Sequence, residues 1–346
     1  MIKFVGNLEH NLKAGGSEMD YRELVAAAEL NLKLKSILTN YSVGEGTYLR
    51  QGAETNFVNR FNVQYFEHFG FKFRLIDSQE ASTDVTFFNH KFKTPIMSAA
   101  VSGMNDIAEK PLVKIASGIR DSGSMMWLGV GSLEQLKEVV DTGAPTVRIV
   151  KPFKDNEAMI KALKEAEDVG AIAVGTDIDF FYGSKRGDKE PAPKTMGPKT
   201  VEELKMLAKV TKLPFVLKGV LSAEDAKKAL DIGAGGIVVS NHAGVVIDYA
   251  AHPLEVLPEI KEVIGDRMPI FVDSGFRRGS DVMKALALGA DGILGGWAMV
   301  MGLAASGSAG VTEIVNILTA ELQRIMSITG CKQVSDIDSG ILVTRH

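Results

Sequence analysis

One cysteine, Cys331, stands in a chain of 346 residues, so no internal disulfide can staple the fold. That usage fits a reducing compartment. Histidines number six, and no His/Cys group has metal-ligand spacing, so no metal is expected. Formal net charge is only −4, which gives no bulk attraction to nucleic acid or to an anionic membrane. No uninterrupted apolar run approaches the ~20 residues of a membrane span. The opening stretch, MIKFVGNLEHNLKAGG, lacks the apolar core of a secretory signal, which predicts a soluble cytoplasmic protein. No Gly-x-Ser-x-Gly elbow marks a serine hydrolase.

What the chain does have is repeated short apolar runs. Eight occur after residue 90, at 95–99, 125–129, 146–150, 171–176, 214–218, 236–240, 269–273 and 292–295. Several are apolar at nearly every position, as parallel strands buried on both faces are. Helical segments lie between most of them. Alternation at this count predicts an α/β fold, a closed (β/α)8 TIM barrel. An open doubly wound sheet is the competitor, but its G-x-G-x-x-G turn after the first strand is missing. An internal echo supports the barrel: SAEDAKKALDIGAGGIVV (222–239) resembles GSDVMKALALGADGILGG (279–296), the trace a repeated helix–turn–strand unit would leave.

Residues 1–90 fall outside this alternation and read as an N-terminal extension packed on a barrel of residues 91–346, one domain overall. Residues 21–38 have helical spacing, and the aromatic-dense stretch 56–73 is expected to pack the extension down. Residues 183–198 read as a surface loop, 302–310 as a small-residue linker and 311–328 as a C-terminal helix.

In such barrels chemistry sits where strands end. Lys218 and His242 stand at two successive strand ends. A histidine of near-neutral pKa can take a proton from a carbon-bound hydroxyl, best with a carboxylate on its other ring nitrogen. Asp177 is the first candidate for that carboxylate and Asp179 the competitor. Lys218 would stabilise a developing anion. Asp273, Gly275 and Arg277, with Gly295 and Gly296 after the eighth run, have the make-up of a barrel phosphate site.

These motifs, read in order, resemble the FMN-dependent α-hydroxy-acid oxidase and dehydrogenase family, over about residues 40–340. The likeness is carried by Leu217-Lys218-Gly219-Val220, Val239-Ser240-Asn241-His242, Arg277-Arg278-Gly279-Ser280-Asp281-Val282 and Ser327-Ile328-Thr329-Gly330-Cys331. The resemblance implies FMN as cofactor and oxidation of a small 2-hydroxy acid or related alcohol to the keto product. His242 would be the base, Asp177 its partner, and Tyr48 a substrate-binding tyrosine. Lys218 would lie by the flavin, Ala99, Val101 and Ser102 along its ring edge, and Ser240, Asp273, Gly275, Arg277, Gly295 and Gly296 around the rest of it. The electron acceptor stays open among O2, a quinone and a protein, and a homo-oligomer, a tetramer by analogy, is implied.

Departures from the family pattern are as informative. The arginine that grips the substrate carboxylate is replaced by Val245, a second active-site tyrosine by Val150, the glutamine before it by Arg148, and a phosphate-binding arginine by Gly296. Arg148 or Arg186 would have to supply the missing grip. The alternative is an FMN- or phosphate-binding barrel without 2-hydroxy-acid oxidase activity: a flavin carrier, a regulatory protein or a non-redox FMN isomerase.

Overall fold

The eight apolar runs form eight parallel strands in a computed structural model, which describes residues 20–34, 52–183 and 195–345. The strands are β1 (Ile96–Met97), β2 (Met126–Leu128), β3 (Thr146–Val150), β4 (Ala173–Asp177), β5 (Phe215–Val220), β6 (Gly236–Val239), β7 (Ile270–Val272) and β8 (Gly292–Leu294). From β2 to β8 neighbours in the chain are neighbours in the sheet, and β8 pairs with β1. The seam between β1 and β2 is stitched by serines: the Ser98 amide donates to Met125 O at 3.2 Å, and the Trp127 amide donates to Ser98 Oγ at 2.7 Å. The result is a near-closed (β/α)8 barrel.

Strand alternation sorts the side chains into two layers. Met97, Trp127, Val147, Ile149, Ala173, Val216, Val238, Phe271 and Leu294 fill the barrel interior. A hairpin, Val85–Phe87 with His90–Phe92, sets Phe87 against Phe271, ring centroids 5.0 Å apart, and closes that interior from one end. The alternate residues face the surrounding helices: α3 (Pro111–Asp121), α4 (Leu133–Val140), α5 (Asn156–Val169), α6 (Val201–Leu207), α7 (Ala223–Ile232), α8 (Pro253–Ile264), α9 (Gly279–Ala287) and α10 (Gly296–Ile328). The echoed segments are α7–β6 and α9–β8, the same unit twice.

Among the described residues, two α-helices precede the barrel, α1 (Tyr21–Leu34) and α2 (Phe57–Gln64). The aromatics after α2 do pack the extension down: the Phe66 ring lies 5.3 Å from His252 and 5.1 Å from Phe276. His252 ties α2 to α8. Its Nδ1 accepts from the Leu254 amide at 3.0 Å, capping α8, and its Nε2 donates to Asn62 O at 3.2 Å.

One expectation fails. The stretch 302–310 is not a linker but part of α10, which breaks at Ser306 (φ −155°) and Gly307 (φ 60°) and continues. Small residues there serve packing. A Cβ on Gly302 would meet Gly310 O at 2.6 Å, so the two segments close on one another only because both positions lack a side chain. This helix is long and apolar enough to cross a membrane by length and composition. However, 61% of its most apolar window is buried, and it packs on α1 and α3 as a core helix.

Candidate active site

Charged side chains converge at the C-terminal ends of β4, β5 and β7, where alternation points them inward. The Lys218 ammonium lies 3.2 Å from Asp273, 3.6 Å from Asp177 and 3.2 Å from Ser240 Oγ. Asp177 also accepts from Lys151 Nζ at 2.6 Å. Lys218 and Asp177 are both buried, a position charged groups hold only when paired. Burial alone would push the Asp177 carboxyl up, but Lys151 and Lys218 outweigh it and hold it below the usual carboxylate range. Burial likewise opposes charge on Lys218, and Asp273 and Asp177 reverse that, keeping it an ammonium.

His242 sits one turn past β6, where chain geometry is unusual. His242 and Ala243 both have φ of 53°, a left-handed pair rare outside glycine. Such strain concentrates at functional sites. It is held by the His242 amide donating to Ser240 Oγ at 3.0 Å, and it turns the imidazole onto Phe180, ring centroids 4.7 Å apart. His242 Nδ1 lies 2.9 Å from Asp179 Oδ2. With the proton on Nδ1 given to that carboxylate, Nε2 carries the lone pair. The partner is therefore Asp179 and not Asp177, which Lys151 and Lys218 engage instead. Gly219 makes room for the arrangement: at φ +96° it kinks β5, and a Cβ there would meet Asp179 Cγ at 2.4 Å.

Beside these groups opens a cavity of about 350 Å³, within the roughly 300–1,000 Å³ range of small-molecule sites. Of the residues anticipated around a cofactor, Ala99, Val101, Ser102, Lys218, Asp273, Gly275, Arg277 and Gly296 line it. Ser240 stands behind Lys218 rather than in the wall, and Gly295 is spent pairing its amide with Met97 O at 2.8 Å. Gly275 has φ of +90°, and a Cβ there would meet Asn62 O at 2.2 Å, so only glycine fits between the cavity and α2. The Arg277 guanidinium lies over the Trp297 ring, 5.0 Å from its centroid, at the start of α10.

Two expectations about β3 are wrong. Inward positions of that strand are Val147 and Ile149, so Arg148 and Val150 point out toward the helices. Arg148 donates to Gly131 O at 2.6 Å in a separate small cavity, and burial pushes its pKa down to about 10. It cannot grip a ligand in the barrel mouth. The residue that continues the inward series is Lys151, which lines the main cavity with its ammonium 3.7 Å from the Phe180 ring centroid. Lys151, Phe180 and the α2 residues Asn59 and Asn62 were missed. Strict alternation from Ile149 would have found Lys151. Val245 lies in the cavity wall, as the missing arginine's position implies. Tyr48 and Arg186 fall outside the described residues.

A glycine cradle, a buried ammonium and an apolar wall suit a flavin nucleotide. Residues 41–201 and 190–344 match the model of the FMN-dependent dehydrogenase family. The chain belongs to that family. It is 31% identical to a 2-hydroxyacid oxidase of Dictyostelium discoideum, over 78% of this chain and 77% of that protein. It is 32% identical to an L-lactate oxidase of Lactobacillus jensenii, over 84% of this chain and 79% of the relative. Among solved structures, a mandelate oxidase with (S)-2-phenylpropionate superposes with a TM-score of 0.82 at 28% identity, covering 94% of this chain and 97% of that one. Membership of that family accounts for the fold.

Proposed function

We propose that this protein is an FMN-dependent oxidoreductase that converts a small 2-hydroxy acid or related alcohol to its keto product. The observation that carries the reading is the His242–Asp179 pair standing over the cavity with Lys218 beside it. Lys218, Asp273, Gly275, Arg277 and Gly296 would hold FMN, with Ala99, Val101 and Ser102 along it. When bound, FMN supplies the acceptor for the two electrons and the carbon-bound hydrogen that a carbinol loses on oxidation. The hydroxyl proton goes to His242 Nε2, because Nδ1 is committed to Asp179. Asp179 then stabilises the imidazolium. Lys218 would hold positive charge beside a bound flavin, whose reduced form is the more negative. Phe180 and the apolar wall keep water from the transferring hydrogen.

The test is direct. The FMN-loaded protein should be yellow and should bleach anaerobically with members of a panel of 2-hydroxy compounds. Val245 in the wall favours one other reading, a flavin-binding barrel without this activity. A yellow protein that no hydroxy compound bleaches would support that alternative, and a protein that takes up no FMN would defeat both.

A further inference from the structure

The charges around the base differ from what a carboxylate substrate needs. Resting on the oxidoreductase reading above, we propose that this site takes a 2-hydroxy compound whose neighbouring group is uncharged, such as an amide or an ester, rather than a carboxylate.

Among the described residues, the ammoniums at this end of the mouth are Lys151 and Lys218, and each is already matched. Lys151 pairs with Asp177 at 2.6 Å, and Lys218 pairs with Asp273 at 3.2 Å and with Asp177 at 3.6 Å. Asp179 adds a third carboxylate, bound to His242. With a neutral imidazole, and leaving aside the Arg277 guanidinium that lines the same cavity, two ammoniums face three carboxylates around it. An anionic substrate would raise that excess among side chains no more than a fifth exposed, where solvent screens charge less than at the surface. A neutral substrate leaves the balance unchanged, and the proton that reaches His242 on oxidation brings it to zero.

The wall agrees with the count. Val245 is 6% exposed and presents methyl groups where a cation would be required to hold a carboxylate. Arg148 is turned out of the mouth onto Gly131 O. Arg277 stands at the α9–α10 end, stacked on Trp297. Lys151 keeps N–H groups beyond the one given to Asp177, since an ammonium has three donors. One of these suits the carbonyl oxygen of an amide or ester, for which a hydrogen bond suffices.

The experiment separates charge preference from turnover by using product-like ligands that cannot be oxidised. Pyruvate and pyruvamide are close in size and differ in charge and in the amide's N–H donors, and their binding to the FMN-loaded protein is read from the change in flavin absorbance. The proposal predicts that pyruvamide binds about tenfold or more tightly than pyruvate, and that Val245→Arg reverses the order. Pyruvate binding as tightly as pyruvamide in the wild type, or neither ligand binding, would overturn it. Lactamide and lactate then report on turnover. If pyruvamide binds preferentially but no hydroxy compound reduces the flavin, the oxidoreductase reading fails while the charge preference stands.

Discussion

Two aspartates of one strand end have separate tasks, and this is where the site is most open to test. Asp179 holds the imidazole, and Asp177 holds two ammoniums. Asp179→Asn should keep FMN bound, lower the anaerobic reduction rate by roughly 10²–10⁴-fold, and alter its pH profile, because the imidazolium loses its counter-charge. Asp177→Asn should instead leave the Lys151 ammonium without its carboxylate and Lys218 with Asp273 alone, and destabilise the protein by about 3–5 kcal/mol. Thermal unfolding and stopped-flow reduction of both variants check this. If Asp177→Asn were the one to change the pH profile, the assignment would be wrong. At this scale the sequence is legible in part. Residues 177 and 179 lie on the same side of an extended chain, so alternation cannot choose between them; the kink at Gly219 does. At β3 alternation could have chosen. Likeness to relatives placed Arg148 and Val150 at the site, and the two-residue period of the strand places Lys151 there instead.

At the scale of elements, α2 is bound to the barrel mouth through α8, and His252 is the joint. It is fully buried, caps α8 through Nδ1 and donates to Asn62 O. Burial pushes its pKa down to about 3 from an ordinary 6.5. The folded state therefore prefers neutral His252, whereas the unfolded chain protonates near 6.5. Its contribution to stability is complete above pH 6.5 and is lost as pH falls from there toward 3. A proton would also place positive charge at the N-terminus of α8, against the helix dipole. His252→Gln should lower stability at pH 8 by about 1–3 kcal/mol and flatten the loss between pH 6.5 and 4. Urea unfolding at several pH values measures both, and an unchanged slope would refute the role. Pro253 and Glu255 are the residues that open α8, but the contact between α2 and α8 was not legible in the sequence. It joins residues 190 positions apart, and no local pattern records it. The same holds for the broken α10. Its run of small residues reads as a linker until the close approach of Gly302 and Gly310 is seen.

For the whole molecule, eight strands converge their ends on one cavity, so residues more than 200 positions apart serve a single site. The barrel was legible because its strands are short, apolar on both faces and mostly separated by helical segments. Segments 1–19, 35–51 and 184–194, which carry Tyr48 and Arg186, are not among the described residues. The central claim joins the two ends of the cavity: the imidazole after β6 acts as base on a ligand beside FMN held by the loops after β7 and β8. The most direct measurement is anaerobic reduction of FMN-loaded His242→Ala by the compound that best reduces the wild type, with FMN affinity measured alongside. FMN should bind as in the wild type while the reduction rate falls ~10²–10⁴-fold. Reduction at the wild-type rate in that variant would contradict the account.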